Sequence, residues 1–115
     1  MMNFNALPEF DREFKRLSKK YKSLYDDLEV FKAIVSALPL GNSRHFACLA
    51  QIKKLTIVKA RFFCKYLRGN SLRIIYAYWK ETQTIEFIEV YFKGENENED
   101  SQRIKEYIKA RISER

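Results

Sequence analysis

Phe10, Phe14, Leu17 and Tyr21 recur at spacings of four, three and four residues, which gathers them on one face of an α-helix. Pro8 suits the first turn of that helix, and Glu9, Asp11 and Glu13 stand near its positive end. Lys15, Arg16, Lys19, Lys20 and Lys22 cover the other sides and favour the C-terminal end of the dipole, or simply form a solvated face. A second helix is predicted over residues 24–38, with Leu24, Leu28, Phe31, Val35 and Leu38 as its stripe and Ile34 beside it. Ser23 is placed to cap it with Asp26 at the capping-box position, and Pro39 and Gly41 end it. Two amphipathic helices joined by a short turn predict an antiparallel hairpin with an apolar side to bury.

The period then changes to two. In residues 57–66, Val58, Ala60, Phe62 and Cys64 face one way, and Lys59, Arg61, Phe63 and Lys65 the other. Residues 68–71 read as a turn, 72–80 as a second strand, Glu81-Thr82-Gln83 as a tight connection and 84–92 as a third strand. Short loops between successive strands predict an antiparallel meander. Residues 93–98 form a polar, acidic loop before a terminal helix from Ser101 to about Ser113, with Ile104, Tyr107, Ile108 and Ile112 inward. Residues 3–7 carry a weak strand pattern, and 41–56 read as a loop with a short extended piece near residues 46–49. The fold expected over residues 1–115 is one two-layer α+β domain. An N-terminal helical hairpin packs on a twisted antiparallel β-sheet, followed by a C-terminal helix.

Composition narrows this further. With 46% hydrophobic and 15% aromatic residues in 115, the chain can fill a single core and is not a disordered tail. Cys48 and Cys64 are too few for a disulfide framework and fit no zinc spacing, so both are expected to be reduced, buried thiols, in a cytoplasmic protein without metal or cofactor. No apolar run approaches the roughly 18 residues of a membrane span, and residues 1–10 lack a leader pattern.

Charge adds the functional signal. Between Glu29 and Glu81 there is no Asp or Glu, yet ten Lys or Arg residues occur. With a net charge of +7, this field points to an anionic partner, either nucleic acid or an acidic protein segment. Lys59, Arg61 and Lys65 share one strand face, Arg73 is expected to return beside Lys65, and Tyr91 and Lys93 close the third strand. Arginines can clamp a phosphate bidentately, a lysine of lowered pKa among like charges can take a proton, and Tyr91 can stack on a base. Lys53, Lys54, Lys65 and Arg68 are further candidate nucleic-acid contacts. Plainer readings stand beside these. The cations also fit a solvated sheet face, Arg73 a structural pair with Glu86 or Glu89, and Glu89 a carboxylate base near Arg61. The sole histidine, His45, could do acid–base work near neutral pH but reads as an ordinary loop residue, and Tyr76, Tyr78 and Trp79 as core or partner-facing.

Three ordered motifs carry a resemblance. Val58-Lys59-Ala60-Arg61, Ser71-Leu72-Arg73-Ile74-Ile75-Tyr76 and Ile88-Glu89-Val90-Tyr91-Phe92-Lys93, preceded by Phe10-Asp11-Arg12-Glu13-Phe14-Lys15-Arg16-Leu17, resemble the RelE/ParE superfamily of bacterial toxins. The resemblance spans about residues 4–110. It implies a helical hairpin on a sheet, a cognate antitoxin that wraps the toxin, and one of two activities. RelE-like members cut messenger RNA on the ribosome by driving attack of a ribose 2′-hydroxyl, whereas ParE-like members inhibit DNA gyrase without nuclease chemistry. By position, the resemblance implies that Lys59 contacts phosphate or transfers a proton. Arg73 would stabilise the transition state, and Lys93 would approximate the last basic contact. The chain departs from the pattern at Leu72, where an aromatic is common, and in its longer Arg61–Arg73 loop. The acidic run over residues 95–100, which would repel RNA, is a further departure. A degenerate member that only binds its antitoxin is the remaining alternative.

Overall fold

A computed structural model describes residues 1–112 except Ser43, and the side chains of Asn70 and Ser71 are likewise outside the description. The expected last helical residue, Ser113, lies outside the described residues. The elements run β1 (Asn3–Ala6), α1 (Pro8–Lys20), α2 (Leu24–Ala37), β2 (Phe46–Ile52), β3 (Leu55–Cys64), β4 (Gly69–Trp79), β5 (Thr84–Phe92) and α3 (Ser101–Ile112). The five strands form one sheet in the order β1-β5-β4-β3-β2.

The helical hairpin follows its apolar period closely. Phe10, Phe14 and Leu17 of α1 and Leu24, Leu28, Phe31 and Val35 of α2 are buried against Val58, Ala60, Phe62, Cys64, Ile74 and Tyr76 of the sheet. Two expectations at the helix ends are corrected. Leu38 falls beyond α2 and is 54% exposed, because the backbone leaves the helix at that residue. Ser23 occupies the N-cap but makes no capping bond. Its hydroxyl instead donates to Asp27 Oδ2 at 2.7 Å and accepts the Tyr66 N–H at 2.9 Å, while Asp27 Oδ2 also accepts the Lys65 N–H at 3.1 Å. The side chain that would cap the helix is thus spent tying it to the β3–β4 turn.

The meander is observed, and the sheet is larger than the sequence pattern suggests. Residues 41–56, expected to be mostly loop, contain all of β2, which pairs antiparallel with β3 from Phe46↔Ala60 to Ile52↔Leu55. This strand does not alternate. A register shift between Cys48 and Ala50 interrupts it, and its outer position leaves Ala47, Cys48 and Leu49 exposed, as tolerated at a sheet edge; Cys48 is therefore not the buried thiol expected, whereas Cys64 is buried. At the other edge β1 runs parallel to β5, so the sheet is mixed and not wholly antiparallel.

The second sheet face is divided along its length. Leu55, Ile57, Ile75, Ala77, Ile88 and Tyr91 pack under Ile104 and Tyr107 of α3. The face expected to stay open is therefore half covered, and only the end carrying Lys59, Arg61 and Arg73 is left. A bulge in β5 makes this seating possible. Ile75 pairs with Glu89 but Tyr76 with Phe87, so Ile88 is the extra residue. Since β1 spans only Thr84 to Phe87 of β5, the edge groups beyond it need other partners. Glu13 of α1 accepts the Val90 N–H at 3.2 Å, and Arg103 of α3 donates to the Ile88 carbonyl at 2.9 Å. Arg103 and Glu13 then join each other at 2.7 and 3.1 Å.

Candidate functional site

Strand register brings three of the predicted residues into one row. Arg61 of β3 lies opposite Arg73 of β4, and Arg73 lies opposite Tyr91 of β5. Lys59 stands one step along the same face, opposite Ile75. Arg73 therefore meets Arg61 and not Lys65, as first expected. β3 ends at Cys64, so Lys65 falls in the turn, where it lines the groove beside Asp27 and Val30 on the helical side.

Lys59, Arg61, Arg73 and Lys93 together line an open pocket of about 290 Å³, joined by Arg44, His45, Phe46 and Ala47. All five charged side chains around it are cations. The approach of Arg44 and His45 depends on the turn after α2. Gly41 adopts φ +66°, and the Phe46 ring packs so closely that a Cβ there would lie 2.1 Å from it. Asn42 Oδ1 accepts the Arg44 and His45 N–H groups at 3.0 and 3.3 Å, and the His45 carbonyl accepts the Arg61 N–H at 2.9 Å. Arg44 was not singled out for the site from sequence, its only signal being membership of the acid-free segment; His45 was read as an ordinary loop residue, with acid–base work as its alternative, and the structure brings it to the pocket.

The acidic loop bends over this site. Glu99 Oε1 accepts a hydrogen bond from Lys59 Nζ at 2.9 Å, with side-chain exposures of 25% for Lys59 and 19% for Glu99. The bond from Glu99 holds the Lys59 ammonium above its ordinary pKa, outweighing burial. A lysine of lowered pKa is therefore not found here, and the expected proton acceptor is a fixed cation. Burial opposes ionisation of Glu99, but the bond from Lys59 overcomes it and holds the carboxyl below its ordinary range. Arg73 is buried, with 9% exposure, and its Nη1 donates to the Leu72 carbonyl at 3.1 Å. Burial first, and then the Arg61 charge, lower its pKa. Burying the Arg73 guanidinium beside the exposed, like-charged Arg61 makes an incoming anion more favourable there.

Tyr91 is 2% exposed, so its ring belongs to the apolar layer under α3 and is not offered to a base. Its hydroxyl is buried without a well-formed hydrogen bond among the described residues; burial raises its pKa and the nearby Lys59 charge opposes that rise. Glu89 does not pair with Arg73. It is 4% exposed and accepts the Asp100 N–H at 2.9 Å. Burial pushes its carboxyl above the ordinary range. Glu86 is likewise engaged elsewhere, with the Tyr107 hydroxyl at 2.7 Å and Arg111 at 3.6 Å.

The remaining predicted contacts lie apart. Lys53 and Lys54 occupy the β2–β3 turn and line a different pocket with Lys80, Tyr78 and Leu38. Five residues of strand separate Lys54 from Lys59, about 16 Å. Arg68 is exposed in the β3–β4 turn with φ 56°. Among the described residues there is no group of three or more His, Cys, Asp or Glu able to hold a metal ion. No described helix is long and apolar enough to cross a membrane.

The fold matches that of RelE in the crystal structure of the archaeal RelE–RelB complex from Pyrococcus horikoshii OT3, with a TM-score of 0.62 and 16% sequence identity. The match covers 81% of this chain and 96% of that one. No family model matches the sequence, and no curated protein matches it.

Proposed function

We propose that this chain is the toxin of a type II toxin–antitoxin pair, acting in the cytoplasm as a ribosome-dependent messenger-RNA endonuclease and held in check by a cognate antitoxin. The observation that carries the reading is the convergence of Lys59, Arg61, Arg73 and Lys93 on one pocket whose charged lining side chains are all cations. RelE being solved with RelB supports an antitoxin partner for a chain of the same fold. In the proposed site Arg61 and Arg73 clamp the scissile phosphate and stabilise the charge that develops on it. Lys59 and Lys93 add phosphate contacts, and Tyr91 serves as the wall against which Lys59 is set. Lys53, Lys54, Lys65 and Arg68 lie outside this pocket and would act only as peripheral contacts to RNA. No metal or cofactor is required by this scheme.

A second reading, a non-catalytic inhibitor of DNA gyrase or a member that only binds its antitoxin, draws support from one observation. Glu99 already occupies the ammonium of Lys59. Induced expression separates the readings. A nuclease stops amino-acid incorporation quickly and leaves new mRNA ends, whereas a gyrase inhibitor triggers a DNA-damage reporter while translation continues. The Lys59→Ala/Arg73→Ala double variant should abolish the translation arrest while its melting transition and antitoxin affinity persist. Arrest that survives in the folded double variant sinks the nuclease assignment.

A further inference from the structure

The cationic pocket has phosphate ligands in excess but lacks an obvious proton acceptor. Lys59 is bonded to Glu99 and held charged, and arginine does not give up its proton in this pH range. Tyr91 is buried and Glu89 faces Asp100. His45 is the chain's one imidazole and the one side chain lining the pocket of a type that exchanges protons near neutrality.

Its placement is built. The His45 backbone is tied to Asn42 on one side and to the Arg61 N–H on the other, so the residue travels with the arginine that would hold the phosphate. Its Nδ1 is sealed from solvent with no hydrogen-bond partner among the described residues. A buried ring nitrogen left in that condition costs about 1–3 kcal/mol. With Nδ1 closed off from the pocket, the ring's other nitrogen, Nε2, is the atom left to accept a proton there, and Nδ1 carries the ring's N–H. The charged groups around it are Arg44 in its own turn, Lys59 and Arg61 of β3, Arg73 of β4 and Lys93 after β5. On the groove side they are Asp27 of α2 and Lys65.

We infer that His45 is the proton acceptor of this site, taking the proton from a ribose 2′-hydroxyl whose neighbouring phosphate is clamped by Arg61 and Arg73. The inference rests on the nuclease reading above. The 2′-oxygen bonds to phosphorus as the bond from phosphorus to the 5′-oxygen breaks, and a water molecule gives a proton to the departing 5′-oxygen, whose developing charge the Lys59 ammonium stabilises. The products are a 2′,3′-cyclic phosphate and a 5′-hydroxyl end. His45 then returns its proton to the hydroxide left by that water.

The test combines kinetics with the fact that this is the chain's single histidine. Ribosomes programmed with mRNA are cut by the wild type, His45→Gln and His45→Asn between pH 5.5 and 8.5, the second variant guarding against a folding failure in the first. Each is first checked for an unchanged melting transition. The wild-type rate should climb with pH and level off, as for a general base, and both variants should be slower by about 10²–10⁴-fold and lose that climb. Their affinity for a 2′-O-methyl oligonucleotide should stay within about threefold of wild type. In proton NMR of the wild type, the one imidazole C2 proton should shift when that oligonucleotide is added. Variants cutting at near wild-type rate, or keeping the rising limb, overturn the role of His45 while leaving the nuclease reading intact. An imidazole resonance unmoved by a bound oligonucleotide does the same. A wild type that cuts nothing under any condition removes the nuclease reading and this inference together.

Discussion

Glu99 and Glu89 are two carboxylates on the same side of the sheet whose surroundings push them in opposite directions, and that difference is testable at the level of single residues. Glu99 is held below the ordinary carboxyl range with Lys59 as its partner. Its ion pair therefore contributes at neutral pH and is lost as pH falls through the folded value. Glu99→Gln should lower the melting temperature near pH 7, with the gap to wild type closing in acid. Burial raises Glu89 instead. Its contribution is fully present below the unfolded value, about 4.3, and is lost as pH rises through the folded one. Glu89→Gln keeps an acceptor for the Asp100 N–H, so its melting temperature should gain on wild type as pH rises from about 4 to 7. Calorimetric melts of both variants across that range check the two signs. Neither pairing is legible in the sequence. Lys59 and Glu99 are 40 positions apart, and local pattern carries no information on which acidic residue of a run will reach back to a strand. What was legible is the alternation in β3 that put Lys59 and Arg61 on one face.

At the scale of elements, strong periodicity and clear end signals mark what could be read. β5 occupies residues 84–92 as its pattern predicts, and α1 begins at Pro8. β2 was hidden because Phe-Ala-Cys-Leu-Ala-Gln-Ile has no alternation and its burial has none either; edge position and a bulge relieve it of that requirement. The turn before β2 is held by Gly41, and Gly41→Ala sets a Cβ at φ +66° against the Phe46 ring. Unless Phe46 moves aside, it should destabilise by at least about 1 kcal/mol and also disturb His45. A chemical melt combined with the histidine NMR signal reads both effects. The Ser23–Asp27 node works in the same way. Asp27→Ala removes the acceptor for the Lys65 N–H and the Ser23 hydroxyl, and should cost about 1–3 kcal/mol by urea unfolding. The expected capping box failed because the hydroxyl found a tertiary partner more than forty residues away in the chain, at Tyr66.

At the scale of the molecule, the acid-free segment folds into a directed field. Eight of its ten cations fall in three places: the pocket, the groove near Lys65, and the far lysine cluster at Lys53, Lys54 and Lys80. Binding of a single-stranded oligonucleotide confined to the five pocket cations predicts a slope of about −3.5 for log affinity against log salt. Glu99 withholds one of those charges, so the wild-type slope should be nearer −2.8 and Glu99→Gln nearer −3.5, with affinity up to about fivefold higher at low salt. A salt series by fluorescence anisotropy decides this. Slopes far steeper than these would bring the distant lysines into the footprint.

Cys48 sits exposed on the outer strand, next to Ala47, which pairs with Lys59, while Cys64 is fully buried under the hairpin. The folded chain should therefore take up one equivalent of a thiol reagent rapidly and the unfolded chain two. A fluorophore on Cys48, which lies opposite Val58 and one residue along from the Ala47 that lines the cationic pocket, gives the fold a single-site optical handle on its outer strand.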